Sequence, residues 1–142
     1  DKKFVKKQLK KLKNAGIGND VEIIEDHLPE NRYKFFNQLS ILTVPVLKGE
    51  AFGTYQLESM ACGIPIVQPT LGAFPEIIEI TGGGVTYAPN TPEALADKWM
   101  EVLSDKQKIR EMSAKGQKTV AEKYGIDSIS TQILEIYQSL LV

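Results

Sequence analysis

The chain has 142 residues, of which 42% are hydrophobic and 25% charged, and its formal net charge is −1. This composition can form a hydrophobic core and excludes a disordered chain or a collagen-like repeat, and the near-zero charge argues against nucleic-acid binding. No apolar run reaches the roughly 18 residues of a membrane span, and Asp1 does not begin a signal peptide. The single cysteine, Cys62, excludes an internal disulfide and is typical of a reducing compartment. We therefore expect one domain in the cytoplasm.

The beginning of the chain is predicted to be a lysine-rich helix over Lys2 to Asn14. Val5, Leu9 and Leu12 follow helical spacing, and seven of the 17 basic residues lie in residues 1–13. A basic helix of this kind can bind nucleic acid or an anionic membrane. It can equally present a solvated lysine face while its apolar side packs on the protein, and this is the interpretation we favour.

Apolar runs and helical patterns alternate along the rest of the chain. The apolar runs predict strands at residues 21–24, 41–46, 64–68 and 85–87. The helical patterns predict helices over residues 29–39, 55–62, 76–80, 92–103, 105–124 and 126–141. This alternation predicts an α/β class with a Rossmann-like parallel sheet and helices on both faces.

The loop from Lys48 to Thr54 is the strongest candidate for a functional site. It follows a predicted buried strand and leads into a helix, so it lies at the carboxyl end of the sheet, where open α/β sheets bind ligands. Free N–H groups at the start of that helix favour a phosphate, and Gly53 allows a ligand to approach the backbone closely. The alternative is that the loop only starts a helix and binds nothing.

Two carboxylates strengthen the ligand-binding interpretation of this loop. Glu50 precedes the helix and Glu58 lies inside it, with seven residues between them. Carboxylates accept hydrogen bonds from hydroxyl groups, so two spaced carboxylates can hold two separate sugar rings. By spacing alone, Glu58 can also be a solvated residue on the side of the helix.

This region resembles a known enzyme family. Residues 50–58 (EAFGTYQLE) resemble the E-x(7)-E motif of retaining glycosyltransferases of family four, which have the GT-B fold. Residues 60–67 (MACGIPIV) resemble the family's EAMACGxPVV continuation, and residues 72–78 (GAFPEII) resemble its GGxPEIV block. Residues 83–96 resemble GxLVxPxDPEALA, and the similarity extends from about Val21 to the last predicted helix.

The resemblance implies roles for residues at matching positions. Glu50 would contact hydroxyls of the donor sugar as the catalytic carboxylate, and Glu58 would bind the ribose hydroxyls of the nucleotide. The backbone amides of Phe52, Gly53 and Thr54 would meet the sugar and the diphosphate. The loop beginning at Glu25, which contains the only histidine, His27, lies near the nucleobase in relatives. That loop usually begins with glycine in the family, and His27 is more typical of a structural residue.

The resemblance also implies a reaction. Such enzymes transfer a sugar from a nucleotide-diphosphate donor to an acceptor hydroxyl with retention at the anomeric carbon, and need no obligatory metal or cofactor. The cations that assist the leaving diphosphate in the family, an Arg and a Lys, come from earlier parts of the domain. Lys48 is a weak substitute, since a solvated loop lysine is the simpler interpretation.

Compared with the family, the chain corresponds to part of a domain. We expect residues 1–142 to be a partial carboxy-terminal domain that lacks its first two strands and the amino-terminal domain. The fragment alone would then be inactive, and residues 21–24 would pair differently or exchange strands with a second chain. The expected partners are the amino-terminal domain and a nucleotide sugar, and no nucleic acid is expected. Peripheral association of the parent protein with a membrane is a further possibility. The alternative is a non-catalytic nucleotide-binding or interaction module with the same fold.

Overall fold

A computed structural model of the protein describes residues 2–24 and 29–141, with side chains omitted for residues 29 and 30. The chain divides into two compact units, Asp1–Asn31 and Arg32–Val142. In the first unit, helix α1 (Lys2–Asn14) has the predicted bounds and is followed by a short 3-10 helix (Gly18–Asp20). The second unit contains the parallel sheet and most of the helices.

Helix α1 ends in a Schellman motif at Gly16. Gly16 has a φ of +80°, its N–H donates to the Lys13 carbonyl, and the N–H of Ile17 donates to the Leu12 carbonyl. This left-handed residue and pair of bonds satisfy carbonyl groups that the helix end would otherwise leave free.

The predicted strand at residues 21–24 is wrong. These residues have no strand assignment, although the backbone at Val21 is extended. Val21 and Ile23 remain 40% and 47% exposed. A β-prone run becomes a strand only where a neighbouring strand offers hydrogen-bond partners, and the described residues offer none to this run.

The remaining elements are six helices and two strands, and helix and strand alternate from α3 to α5. In chain order they are α2 (Pro29–Phe36), α3 (Thr54–Ala61), β1 (Ile66–Pro69), α4 (Phe74–Thr81), β2 (Gly84–Tyr87), α5 (Pro92–Ser104), α6 (Lys106–Tyr124) and α7 (Ile126–Ser139). β1 and β2 pair in parallel, in a register from Ile66 opposite Gly84 to Pro69 opposite Tyr87. α4 connects them as a crossover helix, which confirms the predicted α/β class with a parallel sheet.

The predicted strand at residues 41–46 contributes only one parallel bridge, between Leu42 and Ile66. The Leu42 N–H donates to the Pro65 carbonyl, and the Val67 N–H donates to the Leu42 carbonyl, both at 2.9 Å. Two residues later the ladder stops, because the Val44 N–H donates to the side-chain Oε1 of Gln68 instead. Pro45 then follows without an N–H, so the backbone cannot continue the pairing.

Hydrophobic clusters cover both faces of the sheet. Ile66 and Val67 are neighbours in β1 and therefore point to opposite faces. Ile66 belongs to a cluster with residues of α3, α4 and α6, whereas Val67 packs with residues of α5 and α6. Both side chains are completely buried. Helices on both faces, as predicted, follow from these two clusters.

Two glycines let α6 lie close to α3 and to the start of β2. A Cβ added at Gly83 would lie 2.3 Å from the sulfur of Met60 and 2.8 Å from the Cα of Gly116. Because neither glycine has a side chain, the two backbones approach each other directly. α6 thereby supports α3, the helix that follows the candidate loop.

Candidate functional site

Helix α3 begins without a side-chain cap. Its N-cap is Gly53, in a left-handed conformation with φ +75°, and no side chain accepts a hydrogen bond from the first turn. Thr91 caps α5 and Asp105 caps α6 through their side-chain oxygens, whereas α4 and α7, like α3, have no side-chain cap. Because the first N–H groups of a helix have no intrahelical partners, the amides of Thr54 and Tyr55 remain available to an anion.

Glu50 is a half-buried carboxylate immediately before this helix start. One carboxylate oxygen accepts a hydrogen bond from the Ala51 N–H at 2.9 Å, and the other accepts from the Tyr55 hydroxyl at 3.4 Å. Burial, followed by the charge and the hydrogen bond of Glu50, raises the pKa of Tyr55 to about 12. Tyr55 is therefore a neutral donor at physiological pH, and it helps to fix the direction of the Glu50 carboxylate.

The loop containing Glu50 is held against the loop that precedes α4. The Ala73 N–H donates to the Glu50 carbonyl at 3.0 Å. A Cβ added at Gly72 would lie 2.4 Å from that carbonyl oxygen, and one added at Gly49 would lie 2.8 Å from the Gly72 Cα. The two loops can approach this closely only because both positions are glycine, and we call this contact the glycine clasp.

Phe52 and Gln56 fix the segment between Glu50 and the helix. The Gln56 side chain is fully buried, and its Nε2 donates to the Phe52 carbonyl at 2.7 Å. The Phe52 ring is 42% exposed and lies 6.4 Å, between ring centroids, from Tyr124 at the end of α6. The Gln56 amide therefore fixes the Phe52 carbonyl, and the Phe52 ring contacts the ring of Tyr124.

Glu58 lies on the second turn of α3, four residues or about 6 Å along the helix axis from Thr54. Its Oε1 accepts a hydrogen bond from Nη1 of Arg32, which belongs to α2, and the two side chains form an ion pair.

Burial and the Glu58 charge raise the pKa of the Cys62 thiol. A raised pKa leaves less of the thiolate form, which is the nucleophilic form of cysteine.

A mainly apolar cavity of about 350 Å³ lies beside Glu58, between α3 and the end of α6. Its lining consists of Leu57, Glu58, Ala61, Gln117, Val120, Ala121, Tyr124 and Gly125. The glutamate is the only charged group in this lining. One side of the Glu58 helix therefore borders a space large enough for a small organic group.

Most of the chain matches a known protein family. Residues 2–119 match the family described as "Glycosyl transferases group 1". The chain belongs to this family of glycosyltransferases. It is 27% identical over 135 residues to the lipopolysaccharide core biosynthesis mannosyltransferase LpsB of Rhizobium meliloti strain 1021, covering 92% of this chain and 37% of LpsB.

Solved structures of glycosyltransferases share the fold. The Anabaena protein Alr3699/HepE in complex with UDP-glucose superposes with a TM-score of 0.83 at 22% identity, over 98% of this chain and 38% of HepE. The C-terminal domain of the glycosyl transferase group 1 protein LpcC from Francisella tularensis gives a TM-score of 0.71 at 28% identity, over 87% of this chain and 64% of that domain. The chain spans well under half the length of the curated relatives that it matches.

The structure of this glycosyltransferase domain brings some of the predicted site residues together. Glu50 and Gly53 are in direct proximity, since a Cβ on Gly53 would lie 3.0 Å from the Glu50 Cγ. Thr54 starts the adjoining helix, and Phe52 adjoins Gly53. Glu58 lies one turn further and forms its contact with Arg32 instead of with Glu50.

Other predicted or relevant residues fall outside this group. Glu25 and His27, the candidates for the nucleobase region, lie outside the described residues. Lys48 is exposed on the loop, in agreement with its interpretation as a solvated lysine.

Within residues 2–24 and 29–141, no three His, Cys, Asp or Glu side chains are grouped so as to hold a metal ion. None of the helices in these same ranges has the length and apolar character needed to cross a membrane.

Sequence reasoning missed two partners of the paired carboxylates. Tyr55 lies inside the E-x(7)-E segment, and its position five residues after Glu50 was the available signal. Arg32 lies 26 residues before Glu58 in another helix, so no spacing rule relates the two. The structure therefore adds one partner to each carboxylate.

Proposed function

We propose that the chain is the donor-binding, carboxy-terminal part of a retaining glycosyltransferase of family four. The observation on which this rests is the uncapped start of α3 at Gly53, with Glu50 on one side and Glu58 one turn further along the helix. Relatives much longer than this chain, and the likeness to a carboxy-terminal domain, support the view that an amino-terminal domain completes the enzyme.

The donor would bind along the first two turns of α3. Its diphosphate would accept hydrogen bonds from the free amides of Thr54 and Tyr55 and interact favourably with the helix dipole. Glu50 would accept hydrogen bonds from the donor sugar, and Glu58 from the ribose. HepE, which shares the fold, was solved with UDP-glucose, so this fold accommodates a donor of that class.

The reaction would replace one bond at the anomeric carbon of the sugar by another. The bond to the diphosphate oxygen breaks, a bond to the acceptor hydroxyl oxygen forms with the same anomeric configuration, and the proton of the acceptor hydroxyl is released to water. The negative charge that develops on the leaving diphosphate would be stabilised by the amides at the start of α3. As the resemblance implies, the proposal includes no metal or cofactor, and the acceptor would be held with the help of the amino-terminal domain.

The cellular setting belongs to the same proposal. A cytoplasmic location is supported by the single cysteine, Cys62, which is typical of a reducing compartment. Peripheral membrane association of the full-length enzyme would place a membrane-bound acceptor near the site. Both statements concern the longer protein that contains this chain.

The test is a titration of the full-length protein with UDP, GDP and ADP by ligand-observed NMR. We expect one of them to bind, and Glu58→Ala to weaken its affinity about tenfold, because a charged hydrogen-bond acceptor is lost. Glu122→Ala is the matched control, since Glu122 is also a helical glutamate paired with a cation, Lys118. Binding of none of the three would contradict the proposal. Binding without glycosyl transfer would support the non-catalytic module instead.

A further inference from the structure

We propose that Arg32 is a positioning residue that presents the Glu58 carboxylate to the ribose hydroxyls of the donor. This role rests on the proposed function, because it gives Glu58 its ligand. Arg32 lies in α2, outside the E-x(7)-E motif.

The contact between the two side chains leaves half of the carboxylate open. Arg32 donates through Nη1 to Oε1 of Glu58, and among the residues described here Oε2 of Glu58 has no hydrogen-bond donor. One oxygen is therefore anchored, while the other keeps its lone pairs for a ligand. A carboxylate with one free oxygen can accept hydrogen bonds from ligand hydroxyls. A bidentate ion pair would use both oxygens and leave fewer lone pairs for a ligand.

Both side chains are accessible to a ligand. The Arg32 side chain is 48% exposed and that of Glu58 is 35% exposed. An ion pair this exposed contributes little to folding stability, because water screens the charges and the side chains lose freedom. Its effect should appear in ligand binding, where fixing the rotamer of Glu58 beforehand reduces the entropy lost on association.

The position of the pair relative to α3 agrees with this role. Glu58 is about 6 Å along the helix from the free amides at Thr54, so a group on Glu58 lies beside the proposed diphosphate position. The ribose is the part of a nucleotide donor that adjoins the diphosphate on the side away from the transferred sugar. Arg32 thus holds the carboxylate that is placed to meet the ribose.

The experiment compares a nucleoside diphosphate with its 2′,3′-dideoxy analogue on the full-length protein. The probe is whichever of UDP, GDP and ADP binds most tightly, and affinities are measured by calorimetry for wild type, Arg32→Gln, Arg32→Lys, Glu58→Gln and the double variant. Arg110→Gln is the matched control, because Arg110 is the only other arginine in the sequence and is also exposed. Thermal unfolding of each variant provides an independent measure of folding.

We expect Arg32→Gln to weaken binding of the ribonucleotide by about fivefold while changing the affinity for the dideoxy analogue less than about twofold. Arg32→Lys should retain most of the wild-type preference, because one N–H donor is all that the observed contact requires. In the Glu58→Gln background, Arg32→Gln should have no further effect. The melting temperature and the Arg110→Gln affinities should stay close to those of wild type.

Two outcomes overturn the role of Arg32 in different ways. If wild type prefers the ribonucleotide and Arg32→Gln keeps that preference, the positioning role is wrong while the proposed function stands. Equal weakening of both ligands by Arg32→Gln would likewise overturn it. If wild type binds no nucleoside diphosphate, the proposed function fails, and the role of Arg32 fails with it.

Discussion

At the scale of single residues, the site depends on a carboxylate that is held in place and on a glycine that can adopt a left-handed conformation. Glu50 is fixed by the Ala51 amide and the Tyr55 hydroxyl, and Gly53 turns the chain into α3 with a φ of +75°. An L-residue at such a φ is strained by steric contact between Cβ and the backbone. Both features are local, and both can be tested by single substitutions.

Gly53→Ala is expected to lower the free energy of unfolding by about 2 kcal/mol and to weaken nucleotide binding. Alanine at this position would be strained by the positive φ. Its Cβ would also lie 3.0 Å from both Glu50 Cγ and Gln56 Nε2. Gly63→Ala is the matched control, because its φ of +77° imposes the same strain while its nearest neighbour is 3.9 Å away. Urea denaturation and nucleotide titration should show a similar or smaller stability loss for Gly63→Ala, with binding unchanged. Equal effects of both variants on binding would contradict the assignment of the site to Gly53.

Tyr55→Phe is expected to reduce the loss of stability in alkaline solution. Burial and the Glu50 carboxylate raise the pKa of Tyr55 to about 12, above the usual value of 10. The folded state holds this proton more tightly than the unfolded state does. The stability that protonated Tyr55 contributes is therefore fully present below pH 10 and falls as the pH rises from 10 towards 12. The free energy of unfolding should therefore fall less steeply in Tyr55→Phe between pH 9 and 11, as measured by urea denaturation. Parallel curves for the two proteins would show that folding does not raise the pKa of Tyr55.

Several features at the residue scale could be predicted from the sequence, and others could not. Glu50, Gly53 and Thr54 lie within nine consecutive residues, so local spacing was sufficient to group them. The partner Arg32 lies on a separate helix, and its proximity to Glu58 follows from how α2 and α3 pack. Tertiary packing of this kind leaves no trace in residue spacing.

At the scale of elements, helices and strands differed in how well the sequence predicted them. α1 has the predicted bounds and α5, α6 and α7 nearly so, because apolar spacing and the glycine and proline residues that end helices are properties of each helix alone. The predicted strand at 21–24 was wrong because a strand also needs a partner, and the run at 41–46 pairs only at Leu42. At 41–46, Pro45 and the Gln68 side chain end the pairing after one bridge.

The glycine clasp also belongs to the scale of elements, since it joins two loops at the same end of the sheet. Gly72→Ala is expected to lower the free energy of unfolding by about 3 kcal/mol and to abolish tight nucleotide binding. The added Cβ would lie 2.4 Å from the Glu50 carbonyl oxygen, so the loop bearing the catalytic candidate would have to move.

Gly82→Ala is the matched control for the clasp. Its φ of +60° resembles the +54° of Gly72, but its nearest neighbour is the flexible Lys115 side chain at 3.4 Å. We expect a loss of only about 1–2 kcal/mol and unchanged binding. Urea denaturation and nucleotide titration of both variants provide the comparison. Unchanged binding in Gly72→Ala would show that the clasp does not position Glu50.

At the scale of the whole molecule, the described part of the chain forms only a small parallel sheet. Only β1, β2 and one bridge at Leu42 form the sheet among residues 2–24 and 29–141. Curated relatives of the family are more than twice as long as the segment that this chain matches. The family motifs in the sequence were sufficient to predict membership of a glycosyltransferase family, although the paired strands could not be counted from the sequence.

Glycosyl transfer should therefore require the full-length protein, and the 142-residue chain alone should not catalyse it. The acceptor needs a second surface to hold it against the donor, because positioning two substrates accounts for much of the rate enhancement in such a reaction. We expect the full-length enzyme to release a nucleoside diphosphate and to form a product with the anomeric configuration of the donor, which NMR of the product identifies. Glu50→Gln in the full-length enzyme should lower kcat/KM by about 10²- to 10³-fold, since the carboxylate placed at the sugar is lost. Glu111→Gln, an exposed helical glutamate on α6, is the control. Transfer by the isolated chain would contradict the need for a second domain, and a product of inverted configuration would contradict the retaining mechanism.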